Sequence, residues 1–229
     1  MKTLVAMISV GPRKRINTVS IPRATRWAYR NGYDFSLIRE PLQSEHQPPH
    51  YGKLYVPEAF PDYDRYCIID DDLLIASAAP ELPLTPEDHL ALAPDAEQRH
   101  TRNPKVKWTG NTGFIVARKG AIDLMLKAQS APEDPTVWGY ADQGVLNSVA
   151  WSEDRVTALD KRWNYAPVLE YFLQGEGWDS WRDSRRYRFS FYFKAALRSS
   201  EPVLQSMRDC WGLHMIRATY PRFFNWVLN

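Results

Sequence analysis

Long apolar runs are missing from this chain. Nothing in its 229 residues approaches the ~20 consecutive apolar residues that a membrane span requires. Thr3–Val10 is the apolar stretch near the start; it is short for the core of a signal peptide, and Arg13-Lys14-Arg15 after it is the wrong flank for cleavage. A cytoplasmic chain is therefore expected, with at most peripheral membrane contact. Cysteine is scarce as well. Cys67 and Cys210 lie far apart, which speaks against a disulfide scaffold and for a reducing compartment. An excess of one charge is also lacking: the formal net charge of +2 gives no reason to expect nucleic acid as a partner. There is no internal repeat or low-complexity run, and the length suits one large domain or a domain with a small appendage.

Aromatic residues are plentiful, with 9 Trp and 12 Tyr. Flat rings line sugar and nucleobase sites, and equally fill an aromatic-rich core. The chain opens with a strand at Thr3–Val10, stopped by the turn pair Gly11-Pro12. Ile16–Arg30 has a helical pattern interrupted by Pro22 and closed by Asn31-Gly32, and Tyr33–Ile38 reads as a second strand. Strand, helix and strand predict a βαβ unit, hence an α/β domain with a mostly parallel central sheet flanked by helices. Ligands of such sheets sit beyond the carboxyl ends of the strands, where Ser9, Val10 and Gly11 fall.

Further along, Tyr51–Phe60 is read as partly helical and broken by Pro57, and Pro80–Pro94 as irregular. Gly110–Gly113 reads as a polar turn entering a strand at Phe114. Helices are expected over Gly120–Gln129 and Tyr140–Trp151, the second with Asp142 near its start. Arg155–Leu159 and Trp211–Ile216 read as short strands, Arg162–Tyr165 as a loop, and Tyr220–Leu228 as an aromatic helix or arm.

The most pointed stretch is Tyr66–Ile75, in which three consecutive acids interrupt an apolar run. Buried carboxylates are costly unless a cation compensates them. Residues two apart in an extended chain point to one side, so Asp70 and Asp72 can converge while Asp71 points away. Two such carboxylates suit a hard divalent ion, Mg²⁺ or Mn²⁺. The alternative is a solvated acidic turn.

The composition changes at Trp178. From there to Arg198, arginines alternate with Trp, Tyr and Phe, a pattern that fits an anionic acceptor, an anionic membrane surface, or a solvated helix face. The expected division is a catalytic core over 1–177 and a C-terminal helical, aromatic segment over 178–229.

Together these motifs resemble the GT-A-fold glycosyltransferases, above all the retaining family that holds glycogenin and the bacterial lipopolysaccharide galactosyl- and glucosyltransferases. The family's strand ending in DxD is matched by Asp70–Asp72, and its upstream Lys by Lys53. Asn111-Thr112-Gly113 matches Asn-Ser-Gly, and Asp142-Gln143 with Leu146-Asn147 matches Asp-Gln and Leu-Asn. Leu159, Trp163 and Asn164 match Leu…Trp-Asn, and His214 matches the metal-binding His. The family's xxGxxKPW tail is replaced: Arg217, Tyr220 and Arg222 stand at its Gly, Lys and Trp, and Pro221 alone survives.

The resemblance implies a hexosyltransferase using a nucleotide sugar, most readily a UDP-sugar, with Mn²⁺ or Mg²⁺ held by Asp70, Asp72 and His214. It implies donor contacts from Ser9, Val10, Gly11, Lys53, Asp70, Asp71, Asn111, Gly113 and Arg217. Asp142 and Gln143 would lie at the transferred sugar, and the acceptor would be a glycan or a lipid-linked glycan of surface polysaccharide synthesis. Retention is the expected outcome; in an inverting enzyme Asp142 would be the base. Two alternatives stay open. A haloacid-dehalogenase-type phosphatase would use Asp70 and Asp72, although Leu74 stands where that family has Thr or Val. A sugar- or nucleotide-binding module would leave the three acids unexplained.

Overall fold

Successive residues of the first strand, β1 (Thr3–Ile8), feed two different cores. The protein is described by a computed structural model, over residues 1–95, 101–139, 141–167, 169, 186, 202–216 and 221–229. Leu4 and Ala6 join one core with Tyr66 and Ile68 of β3 (Arg65–Asp70) and Ile115 and Ala117 of β6 (Gly110–Arg118). Val5 and Met7 join the other with Cys67, Ile69, Phe114 and Val116. With both faces covered, a strand reads as a continuous apolar run, as β1 does.

The sheet has the order β2-β1-β3-β6-β5-β7, where β2 is Asp34–Ile38, β5 Leu90–Pro94 and β7 Val156–Ala158. It is mixed. β1 is parallel to β2 and β3, and β5 to β7, whereas β6 is antiparallel to both neighbours. Helix α1 (Lys14–Arg30) covers one face through Ala24, Trp27 and Ala28. After the short α2 (Val56–Ala59), α3 (Ile122–Ser130) and α4 (Asp142–Ser152) cover the other.

Four local expectations change. Helix α1 runs straight through Pro22; the roughly 3 kcal/mol an interior proline costs is set against burial of the Ala24, Trp27 and Ala28 face. Pro57 sits in the first turn of α2 instead of breaking a helix, since that turn does not need its N–H; Pro49–Tyr55, just before α2, form a 3₁₀ turn. The segment read as irregular ends in β5, which four fully buried residues hold in the sheet. Gly110–Gly113 belongs to β6 itself. There Leu92 pairs with Ile115 but Ala93 with Asn111, so a bulge bends the strand at that point.

A small second sheet pairs β4 (Leu73–Ile75) antiparallel with β8 (Gly212–His214). Leu74 and Leu213 carry a third core with the helices Pro202–Asp209 and Pro221–Val227. Aromatic rings dominate beneath it. Trp163, 1% exposed, stacks on Phe114 with centroids 5.0 Å apart, meets Trp211 edgewise and lies tilted against Trp27. These rings are core, not ligand platform. Cys67 and Cys210 are both free and buried. The basic–aromatic stretch 178–198, apart from Arg186, and the boundary at 177/178 lie outside the described residues. Among those described, no helix is long and apolar enough to cross a membrane.

Candidate active site

The corner between the two sheets is built from the three aspartates. Asp70 ends β3 and Leu73 opens β4, and the β4–β8 register sets Leu73 opposite His214. Asp70, Asp72 and His214 therefore converge, each offering a ligand atom within 4.8 Å of the others. The His214 Nε2 lies 3.3 Å from Asp72 Oδ1. Asp71 turns the other way. It accepts hydrogen bonds from Arg13 Nε and Nη2 and from Ser9 Oγ at 2.7 Å, and Ser9 is tied in turn to Asn17. Asp71 is 4% exposed and ion-paired with Arg13.

Lys53 is the buried cation of the site. Its Nζ sits 2.9 Å from Asp70 and 3.1 Å from Asp142 and donates to the Thr112 carbonyl. Burial opposes its charge, but the two carboxylates outweigh burial and hold its pKa above the ordinary lysine range. Burial pushes Asp142 the other way, up from the usual carboxylate range, aided by the Asp70 charge and resisted by Lys53. Ala141, in front of Asp142, adopts φ 51°, a left-handed conformation that costs a non-glycine residue roughly 1–3 kcal/mol.

Behind the carboxylates lies a layer of amides. Gln143 donates to Asp95 at 2.8 Å and accepts from the Thr112 N–H. Asn111 accepts from the Gly113 N–H and from Asn164 Nδ2, and donates to Asp95. Asn147 clamps both backbone groups of Gly110. Gly113 is needed for close approach: a Cβ there would lie 2.6 Å from His214 Cε1 and 2.8 Å from Nδ1. Gly113→Ala is accordingly expected to push the imidazole away and weaken Mn²⁺ affinity by roughly 10–100-fold, checked by titration with electron paramagnetic resonance of free Mn²⁺.

The structure thus brings together Ser9, Lys53, Asp70, Asp71, Asp72, Asn111, Gly113, Asp142, Gln143 and His214. Val10 and Gly11 sit at the end of β1, Gly11 with φ 88°. Arg217 lies outside the described residues. Two participants have no sign in the sequence: Arg13 stands in a basic flank after β1, and Asp95 directly follows the Pro80–Pro94 stretch. Neither has a motif of its own.

The donor set fits a divalent ion. The acids at the corner outnumber its fixed cations: Asp70, Asp71, Asp72 and Asp142 share Lys53 and Arg13. Two carboxylates with one imidazole suit Mn²⁺ or Mg²⁺, the imidazole favouring Mn²⁺. Burial works against charge on His214, but Asp72 raises its pKa above the ordinary 6.5. A ligating imidazole must be deprotonated at the coordinating nitrogen, so Mn²⁺ affinity should fall as pH drops through this raised pKa. The metal-free fold behaves oppositely. Its His214–Asp72 stabilisation is complete below about pH 6.5 and is lost as pH rises through the folded pKa. Mn²⁺ titrations and denaturant unfolding across roughly pH 6 to 9 test both slopes; a pH-independent affinity would remove His214 from the ligand set.

This architecture is the GT-A glycosyltransferase fold. Among solved structures, the chain is similar to a glycosyltransferase involved in glycosylating the major capsid of PBCV-1, with TM-score 0.62, 14% identity and coverage of 99% of this chain and 98% of that one. It is also similar to the bifunctional glycosyltransferase WbbM (TM-score 0.61, 16% identity), covering 99% of this chain but about half, 49%, of WbbM. A third is the galactosyltransferase LgtC in complex with donor and acceptor sugar analogues (TM-score 0.53, 15% identity, 98% and 95% covered). No family model matches the chain, and no curated protein matches it in sequence.

Proposed function

We propose that the chain is a metal-dependent glycosyltransferase that moves a hexose from a nucleotide sugar, most readily a UDP-sugar, to a glycan or lipid-linked acceptor in surface polysaccharide synthesis. The observation that carries this reading is the Asp70–Asp72–His214 cluster at the carboxyl end of β3, on a fold shared with glycosyltransferases. Breaking the bond from the anomeric carbon to a diphosphate builds negative charge on the leaving group, and catalysis requires positive charge placed there beforehand. The ion held by Asp70, Asp72 and His214 would supply Lewis-acid stabilisation of that charge. Arg13, beside Asp71 and 3.5 Å from Asp72, adds a fixed cation to the site.

Gln143 and Asp142 would orient the transferred sugar. LgtC has been solved as an active-site variant in which a glutamine is replaced, and Gln143 is held here on both ends of its amide. Asp142 is 3% exposed and clamped by Lys53, which suits orientation better than taking up the acceptor's proton and so favours retention. The phosphatase alternative finds no support among the solved structures named above, which are glycosyltransferases.

A thermal-shift panel tests the reading: UDP, GDP, ADP and TDP, each with Mn²⁺, Mg²⁺ or EDTA. A ligand that binds only the native state raises the melting temperature. One nucleotide should stabilise the protein in Mn²⁺, and the shift should vanish in EDTA and in Asp72→Ala. No shift with any pair of nucleotide and metal would overturn the proposal.

A further inference from the structure

The hydrogen bonds behind His214 admit one orientation of every amide in them. The Gly113 N–H is a backbone donor and cannot be reversed, and it points at the side-chain oxygen of Asn111 at 2.9 Å. That oxygen fixes the Asn111 amide, whose nitrogen then donates to Asp95, an acceptor when ionised. The same Asn111 oxygen also receives Asn164 Nδ2 at 2.6 Å, so Asn164 must present its own oxygen on the other side. There it meets His214 Nδ1 at 2.9 Å. An oxygen facing a ring nitrogen at that distance requires that nitrogen to carry the proton.

We infer that Asn164 is a positioning residue that holds the Nδ1 proton of His214 and so leaves Nε2 as the nitrogen offered to Asp70 and Asp72. Reversing any one amide would set oxygen against oxygen or N–H against N–H at its neighbour, and the chain is anchored at both ends, by Gly113 and by Asp95. A second anchor lies alongside, where Gln143 bridges the Thr112 N–H and the same Asp95 oxygen. The bulge in β6 is what aims the Thr112 and Gly113 N–H groups at these amides.

The backbone supports the same arrangement. Asn164 ends a 3₁₀ turn whose preceding residue, Trp163, is locked in the aromatic core. β8 lies directly against it: a Cβ on Gly212 would come within 2.1 Å of the Trp163 carbonyl, the Tyr165 N–H bonds to Gly212, and the His214 N–H bonds to Tyr165. Ring and amide are thus held on backbone that is itself fixed. Groups that orient a ligating histidine usually contribute about 10–100-fold to metal affinity.

The inference rests on the ligand role proposed for His214, but its first test does not use the metal. In metal-free protein labelled with ¹⁵N-histidine, with pH raised until His214 is neutral, Nδ1 should give the signal of a protonated ring nitrogen and Nε2 that of a bare one. The reverse pattern would overturn the inference whatever the metal does, and this wild-type measurement needs no variant to fold. The second test is Mn²⁺ affinity by isothermal titration. Asn164→Leu, which removes the acceptor, should weaken binding about 10–100-fold. Equal affinity in Asn164→Leu and wild type would sink the positioning role. If wild-type protein bound no Mn²⁺ while the ring pattern was as expected, the metal reading would fail and the orientation of His214 by Asn164 would stand.

Discussion

Lys53→Met is expected to destabilise the protein by about 3–5 kcal/mol, the usual effect of removing one partner from a buried ion pair. The lysine is 2% exposed and lies between Asp70 and Asp142, so methionine fills most of its volume but leaves two carboxylates facing each other without a counter-charge. Urea unfolding of the metal-free protein is the measurement. Adding Asp142→Asn should recover a large part of the loss, because the charge that burial and Asp70 already disfavour is then gone. A Lys53→Met loss below about 1 kcal/mol, the size of an exposed pair, would mean that water reaches the lysine. Lys53→Arg should not rescue: the longer planar head cannot satisfy Asp70, Asp142 and the Thr112 carbonyl from one point as an ammonium does.

What could be read from the sequence followed from periodicity. β1 and β3 were visible as apolar runs because both faces of the sheet are covered, and α4 because its apolar residues recur at helical spacing. The opening βαβ unit was legible for the same reason. The antiparallel course of β6 was not, since neighbour and direction are tertiary facts with no local signature. Nor was the bulge at Thr112–Phe114: its glycines look like a turn in one dimension and become a bent strand only when β5 pairs beside them. Period two did separate Asp71 from Asp70 and Asp72. It said nothing of where Asp71 would go, because its partner Arg13 comes from a different βα corner. Asn164 entered as part of a motif, while its use depends on Gly113 and His214, respectively 51 residues before it and 50 after it.

That separation leads to the second large effect. Three adjacent aspartates should behave as two kinds of residue. Asp72→Ala removes an oxygen ligand from the proposed ion; the charge stabilisation such an ion gives is worth several kcal/mol, so transfer or donor hydrolysis in saturating Mn²⁺ should fall by roughly 10³-fold or more. Asp71→Asn removes no ligand. It removes the charge and one of the two oxygens that hold Arg13, and should cost about 1–3 kcal/mol of stability, since the arginine loses its full charged partner. Its effect on Mn²⁺ affinity should be small, and what activity it loses should come through Arg13, which would be free to move off the site. Measuring Mn²⁺ affinity, unfolding free energy and transfer rate on both variants separates the two roles. If Asp71→Asn weakened Mn²⁺ as much as Asp72→Ala did, the division of labour within the run would be wrong, and Asp71 would have to join the ligand set.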